Sequence, residues 1–271
     1  MHSLYTRKSL QVMGILNVTP DSFSDGGHFN SRDKALAHAE EMISNGVDII
    51  DVGGESTRPG AAEVSVQEEI DRVIPLVEAL VEYAIPVSID TSKPEVMRAA
   101  VNAGASLIND VRALQTPGAL EAAVECQVPV CLMHMQGQPR TMQHAPSYQD
   151  VILDVMAFLA QRVQDCEAAG LSRALLSIDP GFGFGKSLQH NLQLLRHLSQ
   201  FKQMKLPLLV GISRKTMLGE ITGKSVEDRV SASVAAAVIA AYQGANIIRV
   251  HDVSETVDAM KLVDALLTLE D

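Results

Sequence analysis

Three polar side chains suited to ligand binding lie at or beside the ends of short apolar runs: Asp90, Asn109 and Asp179. An N–H beside an NH2 group can donate both hydrogen bonds to one carboxylate, so two carboxylates and an amide suit a flat ligand with such an edge. The alternative is that each side chain caps the helix that follows. Buried carboxylates need partners, and we therefore favour the ligand site.

A second group combines cations with neutral hydrogen-bond donors, which is typical of a phosphate or diphosphate site. The amide oxygen of Asn17 could also hold Mg²⁺, because that ion prefers oxygen ligands and often shares phosphate oxygens. The alternatives are an ion pair of an arginine with Asp51 or Asp252 and a structural hydrogen bond from His251. The members of this group are Asn17, Thr57, Arg58, Arg249 and His251.

A third group, Ser213-Arg214-Lys215, follows the seventh apolar run and precedes a short helix-like stretch. If Ser213 is the N-cap of that helix, free backbone N–H groups would face an anion. The alternatives are a plain cap with two solvated cations, or a Lys215 that bends back over the pocket.

Two glycine-rich segments resemble phosphate-binding P-loops without matching their spacing. Residues 180–187 have proline where the first glycine is required, and residues 219–225 are one residue short. The glycines of the first segment instead predict close approach of the backbone to a flat ligand, with Phe182 or Phe184 against its ring. His134 lacks a partner at zinc-ligand spacing, so we expect a solvated or hydrogen-bonded histidine.

Eight apolar runs, each followed by a helix-like stretch, must position these side chains. This alternation predicts one (β/α)8 TIM barrel domain over residues 1–271, with the carboxyl ends of the strands meeting on one face. Ser31, Ser65 and Pro94 mark the predicted starts of the first three helices, and the small-residue helix at 231–244 packs either on the barrel or in a homodimer. The runs are residues 12–18, 47–52, 87–90, 106–110, 128–134, 175–179, 208–213 and 247–251.

Composition restricts the remaining function classes. The net charge of −11 argues against nucleic-acid or anionic-membrane binding, although a local basic cluster can still hold an anionic substrate. The 3 cysteines show no CxxC spacing and indicate reduced thiols in a cytoplasmic protein. We find no signal-peptide core at the start and no apolar run of about 18 residues, so no transmembrane helix is expected.

Several segments together resemble the dihydropteroate synthase family of pterin-binding enzymes, in the expected order from residue 13 to residue 253. MGILNVTPDSFSDGG (13–27) and GVDIIDVGGESTRPGA (46–61) resemble its first two signatures, and SIDTSKPEV, LINDV, DPGFGFGK, GISRKTMLG and IIRVHDV agree with further family segments. The resemblance implies a transferase of folate biosynthesis, the target of sulfonamides. It would join 6-hydroxymethyl-7,8-dihydropterin pyrophosphate to p-aminobenzoate and release pyrophosphate.

The resemblance also implies a role for each candidate residue. The polar edge of the pterin would be bound by Asp90, Asn109, Asp179 and Lys215. Met133 and Phe184 would line its pocket, and Arg249 would stack on the ring. The diphosphate would be bound by Asn17, Arg58, Arg249 and His251 with Thr57 nearby, and Mg²⁺ would bridge it to Asn17. The p-aminobenzoate would be bound by Ser213 through its carboxylate and by Phe23, Thr57, Arg58 and Pro59 once the loops at 19–30 and 53–65 close.

The implied reaction is an SN1-like substitution in which the C–O bond breaks before the amine attacks. Arg58, Lys215, Arg249 and His251 are the expected catalytic residues, and the acidic side chains Asp90, Asp179 and Asp25 would stabilise the pterin cation. Asp51 would position the second loop or the anion-binding cluster. The alternatives are a pterin-binding methyltransferase and a pterin-binding protein without turnover; the diphosphate-binding residues argue against both.

Overall fold

A computed structural model of the protein describes residues 10–18, 28–56, 63–137, 142 and 146–269, with residues 28–31 described only as helix backbone. Eight parallel strands form one sheet in the order β6-β5-β4-β3-β2-β1-β8-β7. A parallel bridge between Ile178 and Leu208 joins the two ends of this order and closes the barrel. The strands are β1 (Gln11–Asn17), β2 (Ile49–Gly53), β3 (Val87–Asp90), β4 (Leu107–Asp110), β5 (Val130–Met133), β6 (Leu176–Asp179), β7 (Leu209–Val210) and β8 (Ile247–Val250).

Helices follow the strands on the outside, which confirms the predicted (β/α)8 architecture. The segment after β7 carries both the short helix α7 and the longer α8. The helices are α1 (His28–Ser44), α2 (Val66–Val81), α3 (Pro94–Asn102), α4 (Ala119–Cys126), α5 (Val151–Ala168), α6 (Leu188–Arg196), α7 (Thr216–Thr222), α8 (Val230–Tyr242) and α9 (Val253–Leu267). No helix in the described part of the chain is long and apolar enough to span a membrane.

Two of the three predicted helix starts are confirmed and one is wrong. Ser65 is the N-cap of α2, where its hydroxyl accepts a hydrogen bond from the backbone N–H of Glu68, and Pro94 occupies the first turn of α3. The prediction that α1 starts at Ser31 was wrong, because the helix begins at His28. The periodic apolar positions begin only at Ala35, so periodicity gives no signal for the extra turn.

Five small residues of α8 are buried within the same chain, as the packing alternative predicted, whereas Ser231 and Ala235 are exposed. Ser233, Ala237 and Ala241 are among these buried residues, whereas Ile239 and Tyr242 are exposed. The predicted homodimer stays a prediction.

The barrel interior is built in layers because alternate strand residues point inward. One layer is entirely apolar and fully buried: Met13, Ile49, Leu107, Cys131, Leu209 and Ile247. Two residues further along β2, β4 and β8 come Asp51, Asn109 and Arg249. The polar side chains therefore lie one step nearer the carboxyl ends, on the face where barrel enzymes bind substrates.

Candidate active site

Arg249 on β8 lies at the centre of the polar layer and pairs with two carboxylates. Its Nε donates to Asp51 Oδ2 over 2.6 Å, and its Nη2 donates to Asp90 Oδ2 over 2.7 Å. Asn109 Nδ2 donates to the same Asp51 oxygen over 3.1 Å. The expected alternative of an ion pair with Asp51 is therefore present, and Asp51 holds the cluster together.

Burial in this cluster disfavours the ionised form of Asp90. Burial raises the pKa of Asp90 to about 7, opposed by Arg249 and reinforced by the charge of Asp51. Burial alone would lower the pKa of Arg249, but Asp51 and Asp90 raise it, so the guanidinium stays charged. Asp51 Oδ1 is buried and has no hydrogen-bond partner among the described residues.

Asp179 and Lys215 form the opposite side of the site. Asp179 Oδ1 accepts a hydrogen bond from Gly181 N over 2.7 Å, and burial raises the pKa of this carboxyl while that N–H and Lys215 lower it. Lys215 Nζ donates to Phe182 O over 2.6 Å and lies 4.1 Å from the centre of the Phe184 ring. Lys215 thus bends back over the pocket, as one predicted alternative had it.

Burial lowers the pKa of Lys215 to about 8, opposed by Asp179. Its amine is therefore mostly protonated at pH 7, and an anion bound beside it would raise the pKa again. Of the two candidate aromatic residues, Phe182 is fully buried and only Phe184 is partly exposed, while Met133 is buried at the end of β5.

The prediction that Ser213 caps a helix was wrong. The helix α7 starts at Thr216 with Lys215 in the capping position, because Arg214 adopts a left-handed conformation (φ 56) and turns the chain before the helix begins. Ser213 Oγ instead accepts from His251 N over 3.1 Å and lies 3.0 Å from His251 Nδ1. Arg214 is not a solvated cation, since its Nε donates to Asp252 over 3.1 Å.

His251 is neutral in the free site. Burial, together with the nearby charges of Arg249 and Arg214, lowers the pKa of its imidazole to about 4. The ring can therefore act as a neutral hydrogen-bond donor near the Ser213 hydroxyl, and a bound anion would raise its pKa.

Comparison with known proteins identifies the family that shares this arrangement. The family model described as pterin binding enzyme matches residues 13–251. The dihydropteroate synthase of Escherichia coli K12 is 58% identical over 261 residues, which cover 96% of this chain and 93% of that protein. The chain belongs to the dihydropteroate synthase family.

Two solved members of the dihydropteroate synthase family superpose on the barrel over nearly its whole length. A Yersinia pestis dihydropteroate synthase with a sulfonamide drug is 59% identical with a TM-score of 0.92, covering 96% of this chain and 95% of that chain. The Xanthomonas albilineans dihydropteroate synthase in complex with 7,8-dihydropteroate is 49% identical with a TM-score of 0.88, covering 96% and 95%.

Asn17 lies at the end of β1, partly exposed, beside the glycine that ends β2. A Cβ built at Gly53 would lie 3.3 Å from Asn17 Oδ1 and 3.8 Å from Asp90 Oδ2, so the glycine leaves space between these two oxygens. Four predicted substrate-binding residues of this dihydropteroate synthase family member, together with Asp25, lie outside the described residues and stay predictions: Phe23, Thr57, Arg58 and Pro59.

Two buried charged residues near the site, Glu69 and Lys186, were not predicted from the sequence. Lys93 Nζ donates to Glu55 Oε2 over 2.6 Å and to Glu69, which is fully buried on α2. Lys186 is buried against His134. Glu69 could have been found, since it lies on the apolar face of α2 with Val73 and Leu80, where a charged residue is out of pattern. Lys186 was considered only as part of a P-loop motif that does not match, and this gave no signal for its burial.

Proposed function

We propose that this protein joins 6-hydroxymethyl-7,8-dihydropterin pyrophosphate to p-aminobenzoate, forming 7,8-dihydropteroate and pyrophosphate. The observation that carries the proposal is the polar layer of the barrel, in which Arg249 connects Asp51 and Asp90 beside Asp179 and Lys215. It offers carboxylates for an N–H-rich ring and cations for a diphosphate, within the family whose reaction uses both.

The pterin would bind with its polar edge toward the strand ends. Asp179 is rigidly oriented by the Gly181 N–H and can accept from the ring N–H and NH2 groups together. Asp90 and Asn109 supply the remaining acceptors and donors, and Met133 and Phe184 would lie against the faces of the ring. Arg249 keeps its bond to Asp51 and stacks on the ring with the rest of its guanidinium plane.

The charges that develop as the bond breaks determine the role of each residue in the reaction. The C–O bond between the pterin methylene and the diphosphate breaks first, so that the electron pair leaves with pyrophosphate and a cation remains on the pterin. Asp90 and Asp179 stabilise that cation, and Arg58, Lys215, Arg249 and His251 stabilise the leaving group. The neutral amine of p-aminobenzoate then forms the new C–N bond and loses one proton to solvent, so no strong general base is needed.

Magnesium fits this site as an ion that the diphosphate brings. The described residues hold no cluster of three or more His, Cys, Asp or Glu side chains that would form a protein-only cage. Mg²⁺ commonly takes one or two protein oxygens and completes its shell with phosphates and water. Asn17 Oδ1, facing the space over Gly53, would supply such a ligand. When bound, the ion would neutralise charge on the leaving pyrophosphate.

The proposal also covers the p-aminobenzoate site, the partners and the oligomeric state. Ser213 would receive the carboxylate, with Phe23, Thr57, Arg58 and Pro59 completing the pocket. The substrates are the two small molecules, without nucleic acid or membrane as partners. A homodimer and a cytoplasmic location belong to the same proposal.

The test is pyrophosphate release from the pterin pyrophosphate with Mg²⁺, measured with and without p-aminobenzoate. We expect release that depends on p-aminobenzoate, requires Mg²⁺ and is inhibited competitively by a sulfonamide. Arg249→Leu serves as the matched inactive variant, because it removes the central cation. Pterin binding without any pyrophosphate release would contradict the proposed reaction.

A further inference from the structure

Lys186 is a buried lysine with its ammonium group surrounded by acceptors of its own chain. The residue is 2% exposed, and its Nζ lies 2.8 Å from Gly181 O, 3.0 Å from Phe184 O and 2.9 Å from His134 Nδ1. The three N–H donors of an ammonium thus have three acceptors within 3.0 Å, and His134 O lies 3.4 Å away as a longer fourth contact. Burial lowers the pKa of Lys186 to about 7, opposed by Asp179. In its protonated form the amine has an acceptor within the protein for each N–H.

The acceptors of Lys186 come from two separate segments. Gly181 and Phe184 belong to the loop between β6 and α6, whereas His134 directly follows β5. Burial and the charge of Lys186 lower the pKa of His134 to about 3, so the ring is neutral and its Nδ1 can accept a hydrogen bond. Lys186 therefore fastens the β6–α6 loop to the end of β5.

The two segments are so close together that only glycine fits at two positions of the loop. A Cβ at Gly181 would lie 1.9 Å from His134 O, and one at Gly185 would lie 2.4 Å from Gln136 O. Both glycines also have positive φ angles, 70 and 64. The loop lies directly on the end of β5. The Lys186 ammonium is the charged contact across this junction among the described residues, beside the hydrogen bonds from His134 N to Asp179 O and from the Tyr148 hydroxyl to Gly185 O.

The same loop orients the pterin side of the proposed site. Gly181 N donates to Asp179, Phe182 O accepts from Lys215 Nζ, and the Phe184 ring lies under that ammonium. A shift of the loop would therefore move Asp179, Lys215 and Phe184 together. Ser213 and His251 have their own hydrogen bonds to each other and lie outside this network.

We infer that Lys186 is a positioning residue for pterin binding, which fixes the β6–α6 loop against His134 and thereby sets the geometry of Asp179, Phe184 and Lys215. The inference rests on the proposed function and adds a residue to the site that does not touch the substrate. It predicts that losing the ammonium weakens pterin binding and spares p-aminobenzoate binding.

The experiment compares Lys186→Met with Lys261→Met. Methionine keeps much of the length of Lys186 and removes the donors, whereas Lys261 is exposed and pairs only with Asp258 at the surface. For a folded Lys186→Met enzyme we expect the KM for the pterin pyrophosphate to rise about tenfold and the KM for p-aminobenzoate to stay within about twofold. Calorimetric titration with the pterin pyrophosphate in the absence of p-aminobenzoate should show the same loss of affinity.

A second pair of variants tests the contact from the other side and covers a Lys186→Met protein that fails to fold. His134→Asn keeps an acceptor near the place of Nδ1, and His134→Leu removes it. We expect the Leu variant to lose about tenfold in pterin affinity and the Asn variant to stay within about threefold of wild type. Equal pterin affinity in these two variants would overturn the inference, as would an unchanged pterin KM in folded Lys186→Met.

The wild-type assay separates the inference from the proposed function. Absence of pyrophosphate release by the wild-type protein rejects the proposed reaction. Normal wild-type turnover together with unchanged Lys186→Met kinetics rejects the role of Lys186 alone.

Discussion

Two successive layers inside the same barrel have opposite character. Ile49, Leu107 and Ile247 are fully buried in an apolar layer, and the residues two positions later on the same strands are Asp51, Asn109 and Arg249. Both layers come from inward-pointing side chains of one strand set, and they differ by one step toward the carboxyl ends. The comparison shows how a single scaffold separates stability from chemistry along its axis.

The two layers also contribute with opposite sign to the free energy of unfolding. Apolar side chains removed from water stabilise the barrel. The polar layer contains Asp90 and Asp179, both with pKa values raised by burial, and an Asp51 oxygen without a partner among the described residues. These groups are held in place by their neighbours and are available for a ligand that supplies N–H donors and charge.

The largest effect is expected where the polar layer loses its central cation. Arg249→Leu leaves Asp51 and Asp90 buried without their ion-pair partner, which typically costs about 3–5 kcal/mol of stability. Turnover should fall at least about a thousandfold, because in the proposed reaction the same cation stabilises the leaving group. Denaturant unfolding at pH 7 and pyrophosphate release measure the two effects.

Arg249→Lys is the control for that change. Lysine keeps the positive charge but cannot bridge Asp51 and Asp90 with two directed donors. We expect most of the stability to return while turnover stays low. Unfolding free energies of Arg249→Leu and wild type that agree within about 1 kcal/mol would contradict the central position of Arg249.

A change in the apolar layer should lower stability without changing substrate binding. Leu107→Ala removes a fully buried side chain one step below Asn109, and such changes cost about 2–5 kcal/mol. Thermal or denaturant unfolding should show this loss, while the KM values of the folded enzyme for both substrates change less than about twofold. A pterin KM that rises in step with the stability loss would show that the two layers are coupled.

Asp179→Asn tests the polar layer without a change of size. The variant keeps the side-chain shape but loses the charged acceptor, and a hydrogen bond to a charged group contributes about 1.5–3 kcal/mol. Pterin affinity should fall about 10- to 100-fold in a direct binding titration, with p-aminobenzoate binding unchanged. Ser177→Ala, one step below on the same strand, is the matched control and should leave pterin affinity at the wild-type value.

The sequence predicted the barrel and the polar side chains at its strand ends because both leave local patterns. Apolar runs with a polar end residue gave strands that agree with the structure within a few residues, except that β7 has only two residues. There the chain turns at Ile212, whose carbonyl accepts from Lys215 N over 3.1 Å. A turn that depends on the left-handed Arg214 has no sequence signal comparable to a glycine.

The partners of the candidate residues could not be predicted in the same way. Arg249 and Asp51 are far apart in sequence, and their contact depends on barrel closure. Lys186 belongs to a glycine-rich segment that does not match a P-loop, and only the packing of His134 against this segment shows where the ammonium lies. Residue types predicted which polar side chains form the layer. Which of them are hydrogen-bond partners depends on the register of the strands.

The smallest expected effect concerns the pH dependence of stability in the polar layer. The pKa of Asp90 is raised to about 7 in the folded protein, above its ordinary value, so the folded state binds this proton more tightly than the unfolded state. The contribution of Asp90 to stability is therefore fully present at low pH and is lost as the pH rises toward 7. Asn at this position does not titrate and lacks that loss.

We accordingly expect the stability of Asp90→Asn relative to wild type to increase from pH 5 to pH 7. One proton corresponds to about 1.4 kcal/mol per pH unit, and sharing of the titration with Asp51 and Arg249 reduces this to about 1 kcal/mol over the interval. Melting temperatures of both proteins at pH 5, 6 and 7 measure the difference, while the variant should bind pterin more weakly throughout. A stability difference between the two proteins that stays constant or shrinks with pH would mean that Arg249 already keeps Asp90 ionised. The free-energy cost of burying carboxylates in the polar layer would then come from Asp179 instead.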